Sequence, residues 1–240
     1  MNGSSRRGGV FYIPLGRVFF FILLVVLGIV FILLYVEVIG VAFRRVFPGL
    51  GFSGVLVLLA ACLVGSVVNI PLFRVQTEVP IVCLRYVTAF GITYPVPTLG
   101  TSVSHTLIAI NLGGAIIPTL ASLYVLAMLP EIILQALLAT VVVTLLVNRV
   151  ARPVKGLGIT TPALLPPVIT VITAVIVSAL LGGGDLYAVA YVAGTLGTLI
   201  GADLLNLWVI PRLGAPIASI GGAGTFDGVF LTGIIAVILA

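Results

Sequence analysis

The chain has 240 residues, 61% of them hydrophobic and 7% charged, with a net charge of +5 and a mean hydropathy of +1.40. A soluble domain carries about 25% charged residues, so the composition excludes an ordinary soluble enzyme and points to an integral membrane protein. The positive charge is no nucleic-acid signature, because the basic residues flank apolar runs, where they orient spans and meet anionic lipid; the expected partner is the bilayer, not nucleic acid.

In chain order, the basic start MNGSSRRGGVFYIPLGR precedes a long apolar run with no small-residue cleavage site. It reads as an uncleaved first span. Apolar segments long enough to cross as helices follow near Val18–Phe43, Phe52–Phe73, Thr101–Met128, Glu131–Val147, Pro162–Leu181, Leu186–Ile210 and Pro216–Ala240. The expected fold is therefore an all-α membrane protein, a polytopic bundle of about seven spans forming a single transmembrane domain over residues 1–240. Some of its helices should be broken: INLGGAIIP holds Gly113, Gly114 and Pro118, and TTPALLPP holds Pro162, Pro166 and Pro167, residues that interrupt or bend a helix.

The exception is 74–100. Its alternating, β-branched, proline-containing sequence predicts a small β-hairpin or lid at the cytoplasmic surface. Cys62 falls in an apolar span and Cys83 in this connection, so no disulfide framework is expected. With the N-terminus inside, the inner segments carry Arg6, Arg7, Arg17, Arg74, Arg85, Arg149, Arg152, Lys155 and Arg212, and the outer ones only Arg44 and Arg45. The positive-inside rule thus predicts a multi-pass protein of the cell membrane with its N-terminus cytoplasmic and its C-terminus outside.

Two carboxylates fall within apolar, glycine-rich sequence: Asp203 in GTLGTLIGADLLNLW and Asp227 in GGAGTFDGVFLTGII. A charge at mid-bilayer costs several kcal/mol and usually marks a functional site. Gly194 and Gly201 fall nearly opposite Asp203 on a helix, with Asn206 on the carboxylate side, so that span should be central. Past Gly221, Gly222 and Gly224 the pattern becomes helical, and the 16 residues from Thr225 make about 24 Å of helix, short of a full crossing. That helix should start within the membrane, with Thr225 as its cap and Asp227 in its first turn, where the helix dipole favours negative charge. Both carboxyls then reach similar depth in adjacent antiparallel segments and would share one proton, with Asp227 the ionised member.

The blocks INLGGAIIPTL, GTLGTLIGADLLNL and SIGGAGTFDGVFLTGIIAVILA resemble a family of archaeal and bacterial polytopic membrane proteins of unknown function. A second resemblance is to the GxGD intramembrane aspartyl proteases, presenilin and signal peptide peptidase among them. These hold one aspartate on each of two consecutive spans, the second after glycines. Asp203 and Asp227 are similarly arranged, although Thr225 and Phe226 separate Gly224 from Asp227 and the Pro162-Ala163-Leu164 element precedes both aspartates instead of following them.

Together these features lead to an intramembrane diaspartyl hydrolase as the first expectation. Asp203 and Asp227 would be catalytic, and Asn111, Asn206, Gly221, Gly222, Gly224 and Thr225 would bind a membrane-embedded peptide. The hairpin would offer that peptide a strand edge. A proton- or cation-coupled transporter or channel with the same residues along a small ion's path is the alternative, and a non-catalytic scaffold is the third class. No phosphate-binding loop, dinucleotide fingerprint, metal-ligand cluster or Ser/His/Asp set is visible, so neither a cofactor nor a metal is expected.

Overall fold

The structure is a computed structural model and describes residues 22, 23, 25–30, 37, 40, 42–89, 92–154, 158–213, 215–222 and 228–240. The chain divides into two compact units, Met1–Ile39 and Gly40–Ala240. The described residues of the first are helical.

In the second unit, α1 (Gly51–Gly65) leads into two long antiparallel strands, β1 (Asn69–Ala89) and β2 (Ile92–Asn111). A π-helical turn, Leu112–Ile116, opens α2 (Ile117–Met128), and α3 (Ile133–Val150) follows through a 3-10 turn, Pro130–Ile132. The short strands β3 (Arg152–Val154) and β4 (Gly158–Thr160) pair antiparallel ahead of α4 (Leu165–Leu180). Next, α5 (Leu186–Thr198) continues as a π-helical turn, Leu199–Asp203, and a 3-10 helix, Leu204–Arg212. Last come β5 (Ile217–Ile220) and α6 (Gly228–Leu239). β5 lies parallel to the end of β2, giving the sheet order β1-β2-β5.

This is not an all-α bundle of about seven spans. Among the described residues only Pro130–Val150 and Leu186–Ile210 are helices long and apolar enough to cross a membrane. Hydropathy misled at three places, because apolar runs serve strands as well as helices. The predicted second span ends as a helix at Gly65 and enters β1 at Asn69; the third is strand up to Asn111 before it becomes helix. The seventh divides into a strand of four residues and a helix of twelve. The hairpin accordingly runs from 69 to 111, well beyond the expected 74–100, and no helix passes through Val79–Ala89. The prolines of TTPALLPP do not interrupt α4 either. Pro166 and Pro167 stand in its first turn, where a missing N–H costs nothing.

The protein associates with the membrane, and its helices are built for lipid contact. α3 buries Gln135, Ala136, Ala139, Thr140 and Thr144 and exposes Leu134, Leu137, Leu138, Leu145 and Leu146. α4 likewise buries Thr170, Thr173 and Ser178 and exposes Val168, Ile172, Val175 and Ile176. In water this arrangement would leave a large apolar face uncovered; in lipid, small and polar residues belong between helices. The two long helices point to membrane association by length and composition alone, and a multi-pass arrangement and the sidedness of the termini do not follow from them. The α5 span is the central one, 72% buried against 39% for α3. Arg44 and Arg45, the two basic residues at odds with the charge rule, lie over the rings of Phe52 and Tyr187 at 5.7 and 5.3 Å. Ring stacking offsets part of a guanidinium's desolvation.

Candidate functional site around Asp203

Asp203 owes its position to glycines and a π-helical turn. Glycine lets α5 approach its neighbours closely, on more than one side. A Cβ on Gly197 would stand 2.7 Å from a Val143 methyl, and one on Gly201 would stand 2.5 Å from the Thr144 carbonyl oxygen, both on α3. Gly194 instead faces Thr170 of α4 and Thr232 of α6, so the glycines do not form the single smooth face expected of them. Where α5 passes Thr144 it widens into the turn Leu199–Asp203. Such a turn displaces backbone groups from the regular ladder and is frequent at functional sites. Here Gly201 O accepts from Asn148 Nδ2 at 2.9 Å and from Asn206 Nδ2 at 3.1 Å, and Asn206 also donates to Ala202 O at 2.9 Å. Asn206 thus secures the turn that carries Asp203 through its amide donors.

The carboxyl of Asp203 meets the glycine turn after β5. Gly221 N–H donates to Asp203 Oδ2 at 2.7 Å. Gly221 and Gly222 have φ of +79° and +93°, a backbone region that glycine adopts without the Cβ penalty. Gly221 also presses on the other π-helical turn: a Cβ there would lie 2.6 Å from Ala115 Cβ and 2.7 Å from Ala115 N. Both π-helical turns therefore converge on one glycine, and the carboxylate binds that glycine's N–H.

Asn111 holds the opposite side of this junction. It is buried, and its Oδ1 accepts from Gly114 N–H at 2.7 Å while Nδ2 donates to Ser66 O at 2.6 Å and to Asn69 Oδ1 at 3.0 Å. Ser219 on β5 donates to the same Asn69 oxygen at 2.6 Å. The Asn111 side chain thus joins α1, β1 and the π-helical turn, and Ser219 brings β5 to the same point.

Two cavities open beside Asp203. One, of about 160 Å³, is lined by Asp203 with Gly158, Ile159, Leu207, Ser219 and Gly222 among others. The second, of about 410 Å³, is lined by Asp203 with Thr160, Thr161, Thr198, Gly228 and Leu231 among others. Gly224, Thr225 and Asp227 lie outside the described residues. The residues flanking that segment, Gly222 and Gly228, each line one of the cavities that Asp203 lines. Asp203, Gly221 and Gly222 are thus brought together, whereas the side chains of Asn111 and Asn206 are bonded into the surrounding framework.

Sequence reasoning passed over Thr160, Thr161 and Thr198. The hydroxyl of Thr198 is buried and has no hydrogen-bond partner among the described residues. A threonine in an apolar run gives little signal, and only the doubled Thr160-Thr161 ahead of Pro162 marks a polar break. Among the described residues no group of three or more His, Cys, Asp or Glu side chains could hold a metal ion. His105 is exposed on β2.

The family described as "protein of unknown function (DUF1614)" matches residues 63–239, which include every residue of this site. No curated protein and no solved structure matches the chain.

Proposed function

The chain belongs to the DUF1614 family, and we propose that it is a membrane-embedded hydrolase in which Asp203 and Asp227 cleave a peptide bond. One observation carries the reading. One hydrogen-bonded carboxylate is not enough for such chemistry; a second must reach the same space, and the flanks of the segment bearing Asp227, Gly222 and Gly228, each line a cavity that Asp203 lines. Asp227 takes a proton from water as the water oxygen bonds to the peptide carbonyl carbon, while Asp203 donates a proton to the carbonyl oxygen. Collapse of the tetrahedral intermediate breaks the C–N bond as Asp227 gives its proton to the departing nitrogen, and Asp203 takes back the proton of one hydroxyl as the new carboxylic acid forms. The Gly221–Gly222 turn has no side chain to keep a substrate backbone away. β5, an edge strand of its sheet, lines the smaller cavity and is suited to an extended peptide.

The threonine-lined cavity favours a second reading. Thr160, Thr161 and Thr198 offer hydroxyl oxygens beside a carboxylate, a donor set suited to a small cation or a proton path in a coupled transporter.

The test reconstitutes the protein in liposomes containing a membrane-spanning peptide. Under the hydrolase reading the wild type cleaves it, and Asp203→Asn lowers the rate by about 10²–10⁴-fold, the span typical of general acid–base groups. No cleavage by the wild type, together with a cation or proton flux that Asp203→Asn abolishes, would reject hydrolysis in favour of transport.

A further inference from the structure

Beyond Val103 toward its tip, the hairpin stands, among the described residues, as two strands without a third. β5 pairs with β2 only over Leu107–Ile110, and residues 81–88 and 92–97 are all exposed. Its two edges are not equivalent. Leu107 N–H donates to Pro216 O at 3.0 Å, so at Leu107 the β2 backbone faces away from β1. No register shift occurs between there and the tip, so by the two-residue alternation of an antiparallel ladder Pro95, Pro97 and Leu99 also face their backbone nitrogens outward. Two of those three are prolines and offer no N–H. Over 95–97 the β2 edge is therefore closed to a further strand.

The β1 edge is open. Val82, Leu84 and Tyr86 pair with Leu99, Pro97 and Pro95, so their N–H and C=O groups also point outward, and β1 has no proline from Ile81 to Ala89. Pairs directly opposite share a face. Val82, Leu84, Tyr86, Pro95, Pro97 and Leu99 accordingly form one apolar stripe with no charged member, and Leu99 is 86% exposed. A lone two-stranded hairpin is marginal in water, and an open sheet edge is not tolerated in hydrocarbon. Neither solvent alone suits this element.

We propose that the β1 edge is where two copies of this chain pair. Each copy has one open edge at this level and one closed by Pro95 and Pro97. Pairing β1 with its counterpart about a two-fold axis gives a sheet of order β2-β1-β1-β2 in which Pro95 and Pro97 block each outer edge opposite the paired residues, so assembly stops at two. The uncharged stripe is complementary to itself. Arg85, on the opposite face, sets the register. An axis through Arg85 places two guanidinium groups directly opposite each other, which is destabilising. An axis through Leu84 pairs Leu84 with its own copy, Val82 with Tyr86 and Cys83 with Arg85, and lets the outward backbone groups of all three stripe residues bond across the interface. This inference does not rest on the hydrolase reading.

Cysteine cross-linking in native membranes tests it, in a Cys83→Ser background that removes the exposed thiol. Two Leu84 positions facing each other as a hydrogen-bonded pair have Cα atoms about 5.5 Å apart, within the range for a disulfide. Leu84→Cys should form a disulfide-linked dimer on mild oxidation. Leu99→Cys, on the strand away from the axis, should not. Leu84→Pro removes an outward N–H and leaves the bonds within the hairpin intact, so it should convert the dimer to monomer at equal concentration. Cross-linking at both positions or at neither overturns the proposal, as does a monomeric wild type, whether a different protein or lipid then covers the stripe.

Discussion

Gly221→Ala is the sharpest structural perturbation of the site. It imposes two penalties at one atom. At φ +79° an L-residue loses about 1–2 kcal/mol from the clash of Cβ with its own backbone. The same Cβ would stand 2.6 Å from Ala115 Cβ, 2.7 Å from Ala115 N and 2.7 Å from Gly114 C. Two of those atoms are backbone in a π-helical turn capped by Asn111, so they cannot yield as a flexible side chain would, and overpacking of this kind costs about 1–3 kcal/mol. The sum is about 2–5 kcal/mol, and relief by moving the turn would carry the Gly221 N–H away from Asp203. Gly182→Ala is the control. Its φ is +86°, yet nothing lies within 4 Å of the added Cβ, so only the conformational cost of about 1–2 kcal/mol remains. Equilibrium unfolding of the purified protein in mixed detergent measures both. Equal destabilisation by the two substitutions would refute the close approach of the glycine turn to Ala115.

Asn111→Ala strands the Gly114 N–H and the Ser66 carbonyl in a buried junction and should cost about 2–6 kcal/mol in the same assay, at about 1–3 kcal/mol for each group left unsatisfied. Asn148→Ala and Asn206→Ala each leave Gly201 O one donor, so each should be mild. The double variant should lose more than their sum, and strict additivity would show that they do not share that carbonyl. Thr198→Val removes a buried hydroxyl that has no partner among the described residues and should be neutral or stabilising by up to about 1–3 kcal/mol; a loss of stability would reveal a bond that the hydroxyl makes.

What the sequence conveyed about this site, and what it concealed, follows from how local each signal is. The glycines at 221 and 222 interrupt an apolar run visibly, since only a turn or a close approach needs them, and the structure uses both properties. The prolines and alternation between Arg74 and Gly100 mark strands by a pattern of two, but the ends of those strands are apolar without alternation, and there hydropathy merged them with α1 and α2. The π-helical turns were not legible. They arise from where Gly201 meets Thr144 and where Gly113 and Gly114 lie against the end of α1 and the glycine turn, contacts made only once the helices pack. Asn111 and Asn206 look alike on paper, as polar groups in apolar runs, and a sequence does not reveal that their amides are taken up by neighbouring backbone.

Hydrolysis by this site requires Asp203 and Asp227 to act as one unit. The direct measurement is the cleavage rate of a membrane-spanning peptide by wild type, Asp203→Asn, Asp227→Asn and the double variant, each confirmed as folded. Groups that act together are not additive. Either single change and the double change should all reduce the rate to a similar residual level. A wild type that cleaves while either single variant keeps a rate near its own, or a double variant whose loss is the product of the two single losses, would contradict it.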